Sequence, residues 1–201
     1  MEVYKFCPRD YFGANSFVII SGDEAAIVDP SVPLSRISSV IGDARLKYVL
    51  LTHCHFDHIL SLEDIVKATG ARVIIGENDR GGLSSPIVNC YRTFLGTEDG
   101  YYGDAQGVVD GEHLALGTED ITVVATPGHT AGGVSYLIGD SLFVGDTVFA
   151  GGGYGRCDLP GGDEAVLFSS IARLFALRDP LTVYCGHGED TTLSEIKRNF
   201  M

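Results

Sequence analysis

The segment THCHFDH, residues 52 to 58, carries three of the six histidines of this 201-residue chain, together with an aspartate. In an extended segment, residues i and i+2 point the same way, so His53 and His55 can grip one metal ion together. The chain must then turn, which frees Asp57 and His58 to reach a second ion. Imidazole and carboxylate groups bind zinc, and iron or manganese as well. The segment therefore predicts a metal site.

Three further side chains of the same chemistry follow predicted strands: His129 in ATPGHT, Asp146 in LFVGDT and His187 in VYCGHG. Loops at strand ends are where α/β proteins collect their active sites, because the sheet fixes the loops. Seven ligands are too many for one tetrahedral ion and favour two divalent ions that share a carboxylate and a hydroxide. Zinc is favoured, with iron or manganese as alternatives. His113 is the exception among the histidines, because it does not follow a predicted strand.

Short β-type runs alternate with helical stretches, and these elements must position the seven side chains. The span 77–107, rich in Gly, Ser, Asp and Tyr, is predicted to be irregular, and Ser61 is expected to cap the helix that follows it. No Pro- or Ser-rich linker interrupts the chain, so a single domain over residues 1–201 is expected, with two packed sheets and helices outside. Strands are predicted over 16–20, 25–30, 46–52, 71–76, 113–117, 120–127, 133–139, 141–146 and 181–188, and helices over 34–42, 61–70, 163–177 and 191–200.

The composition of the chain argues against some classes of binding partner. The formal charge of −13 argues against nucleic acid or an anionic membrane surface, and no apolar run approaches the ~20 residues that cross a bilayer. The N-terminus shows no signal-peptide pattern, so a reduced, cytoplasmic protein is expected; the oligomeric state stays open. Its five cysteines have no paired spacing: Cys7, Cys54, Cys90, Cys157 and Cys185.

The motifs THCHFDH, TPGHT, VGDT and CGHG fall in the order found in the metallo-β-lactamase superfamily, which the chain resembles over nearly its full length. The resemblance implies an α/β fold, a four-layer αββα sandwich with the metal site at one edge of its two sheets. It also implies which residues hold which ion. The first ion would lie on His53, His55 and His129, the second on Asp57, His58 and His187, with Asp146 bridging the two.

Two further segments, GRCDLPGGD (155–163) and GHGEDTTLSEIKRN (186–199), are similar to the glyoxalase II-like hydrolases. This resemblance implies hydrolysis of a small-molecule thioester by a metal-bridging hydroxide, which Asp57 would orient or deprotonate. A thiolate leaves without a general acid, and Tyr154 is the one candidate acid outside the ligands. Tyr154 and Arg156 are the expected substrate contacts, with a structural ion pair between Arg156 and Asp158 as the alternative.

Glyoxalase II enzymes carry a helical C-terminal region that grips glutathione, and this sequence ends fourteen residues after His187. We therefore expect no such region, and a different small thiol or an acyl carrier in the substrate. The span 77–107, with Tyr91, Tyr101 and Tyr102, is expected to be a surface loop, with a substrate lid as the alternative.

A redox reaction is the main rival. Persulfide dioxygenases share the cysteine inside THCH, which is Cys54 here, and resemblance would place a single iron on His55, His129 and Asp146. His187 and the LPGGD segment favour the hydrolase, and strand alternation points Cys54 away from the ions. Lactone or phosphodiester hydrolysis and a non-enzymatic metal-binding module also remain open. A true β-lactamase is not expected, because both aspartates are present.

Overall fold

The computed structural model describes residues 1–8 and 13–200. Short 3₁₀ helices cover Phe56–His58 and Glu77–Ser84. Within the described residues the strands are β1 (Glu2–Phe6), β2 (Ser16–Ser21), β3 (Glu24–Val28), β4 (Arg45–Leu51), β5 (Arg72–Gly76), β6 (Ala105–Val108), β7 (His113–Leu116), β8 (Glu119–Ala125), β9 (Val134–Ile138), β10 (Ser141–Gly145), β11 (Thr182–Cys185) and β12 (Thr191–Thr192). The helices are α1 (Leu34–Ile41), α2 (Leu62–Thr69), α3 (Tyr91–Leu95), α4 (Glu164–Phe175) and α5 (Leu193–Phe200).

Two six-stranded mixed sheets form the centre of the fold. The first has the order β1-β2-β3-β4-β5-β6 and the second β12-β11-β10-β9-β8-β7. Strands β3 to β6 run parallel, and parallel neighbours require crossovers. Helices α1 and α2 supply the first two, and residues 77–104 with α3 supply the third. In the second sheet, β10 and β11 are the parallel pair. Parallel neighbours deliver their carboxyl ends, and the loops that follow, to the same edge.

Three apolar layers hold the sheets and helices together. Between the sheets, Phe17 of β2 packs edge-on against Phe143 of β10 with ring centroids 5.4 Å apart. The outer face of the first sheet packs under α1 and α2, where Ile37 and Ile65 are fully buried. Leu167 of α4 is fully buried on the outer face of the second sheet, where α5 also packs. Fully burying such a side chain contributes ~1.5–3 kcal/mol. The architecture is the expected αββα sandwich.

The structure corrects several local expectations. The strands β1, β6 and β12 were not predicted, and the span 77–107 contains a 3₁₀ helix, α3 and the start of β6 rather than irregular chain alone. The Ser61 side chain does not cap α2, because its backbone angles (φ −112°, ψ 10°) are not the extended ones that capping needs. Asp163 does cap α4, accepting a hydrogen bond from the amide of Val166 at 3.0 Å. No helix within the described residues is long and apolar enough to cross a membrane.

Candidate metal centre

The expected ligands all follow strand ends at one edge of the sandwich. Strand β4 leads to His53 and His55, and the 3₁₀ helix Phe56–His58 then turns Asp57 and His58 inward. The loops after β8, β10 and β11 carry the other three expected ligands, which are His129, Asp146 and His187. A hydrogen bond of 2.8 Å from the amide of Val134 to the carbonyl of Thr52 joins the two sheets beside this edge.

Three histidines form what we term the imidazole site: His53, His55 and His129. Their rings meet nearly at right angles, with centroids 4.6 to 4.8 Å apart. His55 Nδ1 lies 3.0 Å from His129 Nε2. One ligand atom from each histidine lies within 4.8 Å of the other two. This spacing allows the three rings to hold one ion.

The carboxylate site, defined by Asp57, His58 and His187, lies beside the imidazole site. His187 Nε2 is 3.1 Å and His58 Nε2 is 3.7 Å from the Asp57 carboxylate. Asp146 lies between the two sites. One of its oxygens is 3.4 Å from His58 Nε2, and the other is 3.5 Å from His187 Nε2 and 3.8 Å from His129 Nε2. The Asp146 carboxylate is therefore placed to be shared.

Four buried ligand atoms have no hydrogen-bond partner among the described residues: Nε2 of His53, His55 and His58, and Oδ1 of Asp146. An unpaired buried polar atom costs free energy, so such a cluster calls for another partner. The neighbouring glycines leave no room for a side chain there, because a Cβ at Gly186 would collide with Asp146 and His58. The donor set, five imidazoles and two carboxylates, fits divalent metal ions.

Asp29, which follows β3, contacts the His58 ring of the carboxylate site. Its carboxylate accepts hydrogen bonds from the amide and the hydroxyl of Thr52, at 2.8 and 2.7 Å, and lies 2.8 Å from His58 Nδ1. The contact orients the ring so that His58 Nε2 faces the site. Asp29 has a positive φ of 51°, a conformation that non-glycine residues adopt rarely and that often marks functional sites.

Asp79, which follows β5, supports the imidazole site in the same manner. Its carboxylate accepts hydrogen bonds from the amide of Cys54 at 3.1 Å, the hydroxyl of Thr130 at 2.7 Å and the amide of Gly132 at 2.6 Å. Cys54 lies between two of the histidines, and Thr130 follows the third. Asp79 thus ties together the two loops that supply the imidazole site. Sequence reasoning missed Asp79 and Asp29, although both follow strands as the ligands do.

Electrostatics differ sharply between the two sites in the metal-free protein. Burial, reinforced by the neighbouring histidines, holds the pKa of His53 well below its usual value and lowers that of His55 to about 3. Burial also acts to lower the pKa of His187, but hydrogen bonds with Asp146 and Asp57 outweigh it and raise the pKa to about 9. The pKa of His58 is likewise raised, because the surrounding carboxylates outweigh its burial.

A cleft of about 390 Å³ opens onto the ligands. Five of the expected ligands line it. The other lining residues are largely apolar, and of these the sequence analysis singled out Arg156 as a substrate contact. They are Phe56, Cys90, Phe94, Phe149, Gly155, Arg156 and Leu159. Cys90 and Phe94 come from the span 77–107, which therefore contributes a wall of the cleft. The sequence signal for this wall was weak, since α3 has only five residues and no apolar periodicity.

The two expected substrate contacts lie in different environments. Arg156 lines the cleft and holds Asp158 through two hydrogen bonds of 2.6 Å. Tyr154 is not part of the cleft lining; its hydroxyl donates to Glu164 at 3.1 Å, and its ring packs on Phe168. The structure therefore gives the expected substrate contact of Tyr154 no support.

Apart from Cys90, the described cysteines, His113 and the tyrosines discussed above do not line the cleft. Cys54 is buried under the first sheet, on the side that strand alternation predicted. Cys157 and Cys185 pack in or against the core of the second sheet. His113 is exposed, 2.5 Å from Asp120. The tyrosines of the span 77–107 also lie outside the cleft lining. They are Tyr91, Tyr101 and Tyr102.

Comparison with known proteins agrees with this geometry. Residues 9–187 match the metallo-beta-lactamase superfamily. The hydroxyacylglutathione hydrolase GloC of Haemophilus influenzae is 33% identical over 202 residues, which cover 97% of this chain and 95% of GloC. The crystal structure of the BLEG-1 B3 metallo-beta-lactamase superposes with a TM-score of 0.87 at 30% identity, covering 96% of this chain and 95% of that one. ETHE1 from Myxococcus xanthus gives 0.79 at 27% identity, covering 100% of this chain and 83% of ETHE1. The chain belongs to the metallo-beta-lactamase superfamily.

Proposed function

We propose that this chain, a metal-dependent hydrolase of the metallo-beta-lactamase superfamily, cleaves small-molecule thioesters. The observation that carries the proposal is the meeting of seven candidate ligand side chains from four separate loops, five of which line one cleft. The likeness to GloC, named a hydroxyacylglutathione hydrolase, supports a thioester as the substrate.

The residues of the two sites would have different roles in catalysis. Two bound divalent cations would lower the pKa of a shared water from 15.7 to roughly 7 and polarise the substrate carbonyl. His53, His55 and His129 would hold one cation, Asp57, His58 and His187 the other, and Asp146 both. The pKa of Asp57 is lowered, because His58 and His187 outweigh its burial, so its carboxylate is ionised at neutral pH. Asp57 can therefore accept the hydrogen bond that orients the attacking water.

The leaving group favours a thioester over an amide or an alkyl ester. Apart from the candidate ligands, the titratable side chains that line the cleft within residues 1–8 and 13–200 are Cys90 and Arg156. Burial raises the pKa of Cys90 to about 11, and the hydrogen bond with Asp158 raises that of Arg156. Both groups hold their protons too tightly to serve as general acids near neutral pH. A thiolate, whose conjugate acid has a pKa near ~8.5, needs no such help.

Metal analysis combined with a thioester assay tests the proposal. We expect about two divalent ions per chain and hydrolysis of acyl-thiol substrates that stops on chelation and returns with added zinc, iron or manganese. Two ions would exclude the mononuclear alternative. A protein that binds two ions and leaves every thioester intact would contradict the proposal, and the Asp120→Asn variant, altered at an exposed ion pair, is the matched control.

A persulfide dioxygenase is the second candidate, supported by the likeness to ETHE1 and by Cys54 within THCH. It would use His55, His129 and Asp146, whose facing atoms lie 3.0 and 3.8 Å apart. Four of the seven candidate ligands, which are His53, Asp57, His58 and His187, would then bind no metal, and this is why we place it second. One iron per chain with consumption of oxygen in the presence of glutathione persulfide would establish it.

The wider substrate panel should include a β-lactam, a lactone and a phosphodiester. BLEG-1 is a B3 metallo-beta-lactamase, and one nucleophile can attack any activated electrophile that the cleft admits. We also propose a reducing, cytoplasmic setting without nucleic-acid or membrane partners. All five cysteines are free thiols, and the net charge is −13.

A further inference from the structure

We propose that the protein selects its thioester by an apolar acyl group bound against the aromatic wall of the cleft, and not by charged groups on the thiol carrier. This inference rests on the proposed function and specifies its substrate class. The aromatic wall consists of Phe56, Phe94 and Phe149, together with the aliphatic Leu159.

The aromatic wall begins directly at the metal ligands. Phe56 lies between two ligands in sequence and stacks on Phe94, with centroids 5.5 Å apart and ring planes 25° apart. Phe149 also lines the cleft, and its ring lies 6.2 Å from that of His187. An acyl carbonyl at the ligands would therefore have its chain against aromatic surface.

The part of the wall that carries Phe94 is fixed in place before any substrate binds. The amide of Phe56 donates to the carbonyl of Asn89 at 2.8 Å. The buried Asn89 side chain donates to the carbonyl of Leu83 at 3.0 Å and accepts from the amide of Tyr91 at 3.1 Å. These bonds anchor α3, which carries Phe94, to the ligand loop. Phe94 nevertheless remains 41% exposed. A fixed aromatic ring left in contact with water gains most from an apolar ligand that covers it.

The charges in the cleft give an anionic carrier little to bind. Among the described lining residues, Arg156 is the single lysine or arginine, and it already holds Asp158 through two hydrogen bonds of 2.6 Å. Its guanidinium carbon lies 5.9 Å from the centre of the Phe94 ring. Arg156 thus covers the aromatic wall as part of an ion pair, rather than standing free for a carboxylate or a phosphate. The other charged groups of the lining are metal ligands.

An acyl-chain series tests the inference. Acetyl, butyryl and hexanoyl thioesters of N-acetylcysteamine, a neutral thiol, are compared with the same acyl groups on glutathione. We expect kcat/KM to rise about two- to fourfold for each methylene that the wall buries. At a fixed acyl group, we expect the two carriers to differ by no more than about fivefold, the range of an exposed ion pair.

The Phe94→Ala variant should flatten the dependence on chain length. Phe168→Ala is the matched control, because Phe168 is similarly exposed (43%) but lies on α4, outside the cleft lining. The control should keep the slope of the unaltered protein. Circular dichroism and bound metal, measured on both variants, verify that each is folded and loaded.

The possible outcomes separate the two proposals. If no thioester is hydrolysed, the proposed function fails. If thioesters are hydrolysed with no dependence on chain length, with a slope that Phe94→Ala leaves intact, or with glutathione preferred by more than about fivefold, this inference alone is overturned. A selective loss of the glutathione substrates in Arg156→Ala would overturn it too, because that residue would then bind the carrier.

Discussion

The imidazole site and the carboxylate site lie side by side, yet they are built in opposite ways. In the imidazole site three buried rings face one another, and the pKa values of His53 and His55 are held low. In the carboxylate site each histidine faces carboxylates, and the pKa of His187 is raised to about 9. At neutral pH the first two rings are therefore unprotonated and ready to bind, whereas His187 carries a proton that a cation must displace.

The supporting contacts follow the same division. Asp79 holds backbone and a hydroxyl of the two loops that supply the imidazole site, and it touches no ligand ring. Asp29 touches a ligand directly, through His58 Nδ1. The imidazole site is thus organised mainly through its loops and the carboxylate site through a side chain. The division is not complete, because the Thr52 hydroxyl that Asp29 holds lies 3.1 Å from His53 Nδ1. The Asp146 carboxylate lies within 3.8 Å of histidines of both sites, so we expect its substitution to be the most damaging.

The Asp146→Asn variant should produce the largest effect. Removing the charge weakens the shared ligand of both ions, and we expect less than one bound ion per chain and a fall in kcat/KM of about 10³-fold or more, the loss of several kcal/mol of charge stabilisation. Elemental analysis and a thioester assay measure the two quantities. Asp120→Asn serves again as the control. Complete retention of one ion would show that Asp146 belongs to one site and is not shared.

The pH dependence of metal binding should distinguish the sites next. Between pH 7 and 9 the affinity of the carboxylate site should rise about tenfold per pH unit, because binding displaces at least the proton of His187. The imidazole site should change little over this range, since His53 and His55 are already neutral. Calorimetric titrations in buffers of different ionisation enthalpy count the protons released at each step. Equal proton release in both steps would remove the electrostatic distinction.

A matched pair of substitutions, Asp79→Asn and Asp29→Asn, should each weaken mainly one site. Every partner of Asp79 is a donor, so an amide –NH₂ at this position must face another N–H or O–H and lose a buried bond. We expect a 10- to 100-fold loss of metal affinity in the imidazole site for Asp79→Asn, and a similar loss in the carboxylate site for Asp29→Asn.

To determine which site each aspartate variant weakens, metal binding is measured in a background in which the other site has lost one of its histidines. Cobalt(II) is titrated into each variant in a His129→Ala background, which leaves the carboxylate site, and in a His187→Ala background, which leaves the imidazole site. Its absorption spectrum reports the ligand set. Losses of the same size in both backgrounds would mean that the two aspartates stabilise the fold as a whole.

The sequence indicated the candidate ligands because their chemistry is local. Histidines at i and i+2 after an apolar run, followed by motifs at other strand ends, predict a shared edge without knowledge of the fold. Strands β1 and β6 escaped notice because neither has the apolar run that marks a strand, and each lies at an edge of its sheet. The layers were predictable from the family resemblance.

The supporting residues could not be identified in the same way. Asp29 and Asp79 resemble many acidic residues that follow a strand, and their roles arise from hydrogen bonds across 23 to 53 positions of sequence. Tyr154 was expected at the substrate because it lies on a glycine-rich loop near the ligands in sequence. The direction of its side chain, toward Glu164 and Phe168, depends on packing against α4, which no local pattern contains.

The smallest effect is expected at Cys54, which lies between two ligands and yet belongs to the apolar core. Its side chain is fully buried under the first sheet, and burial raises its pKa well above the usual value, so it stays a neutral thiol. Cys54→Ala should leave metal stoichiometry and the pH dependence of both sites unchanged, while lowering the free energy of unfolding by about 1 kcal/mol through the small cavity it creates. Denaturant unfolding and elemental analysis measure the two outcomes, with His55→Ala as the contrasting variant that should lose metal. Loss of a bound ion in Cys54→Ala would mean that the thiol, and not only the amide that Asp79 holds, contributes to the imidazole site.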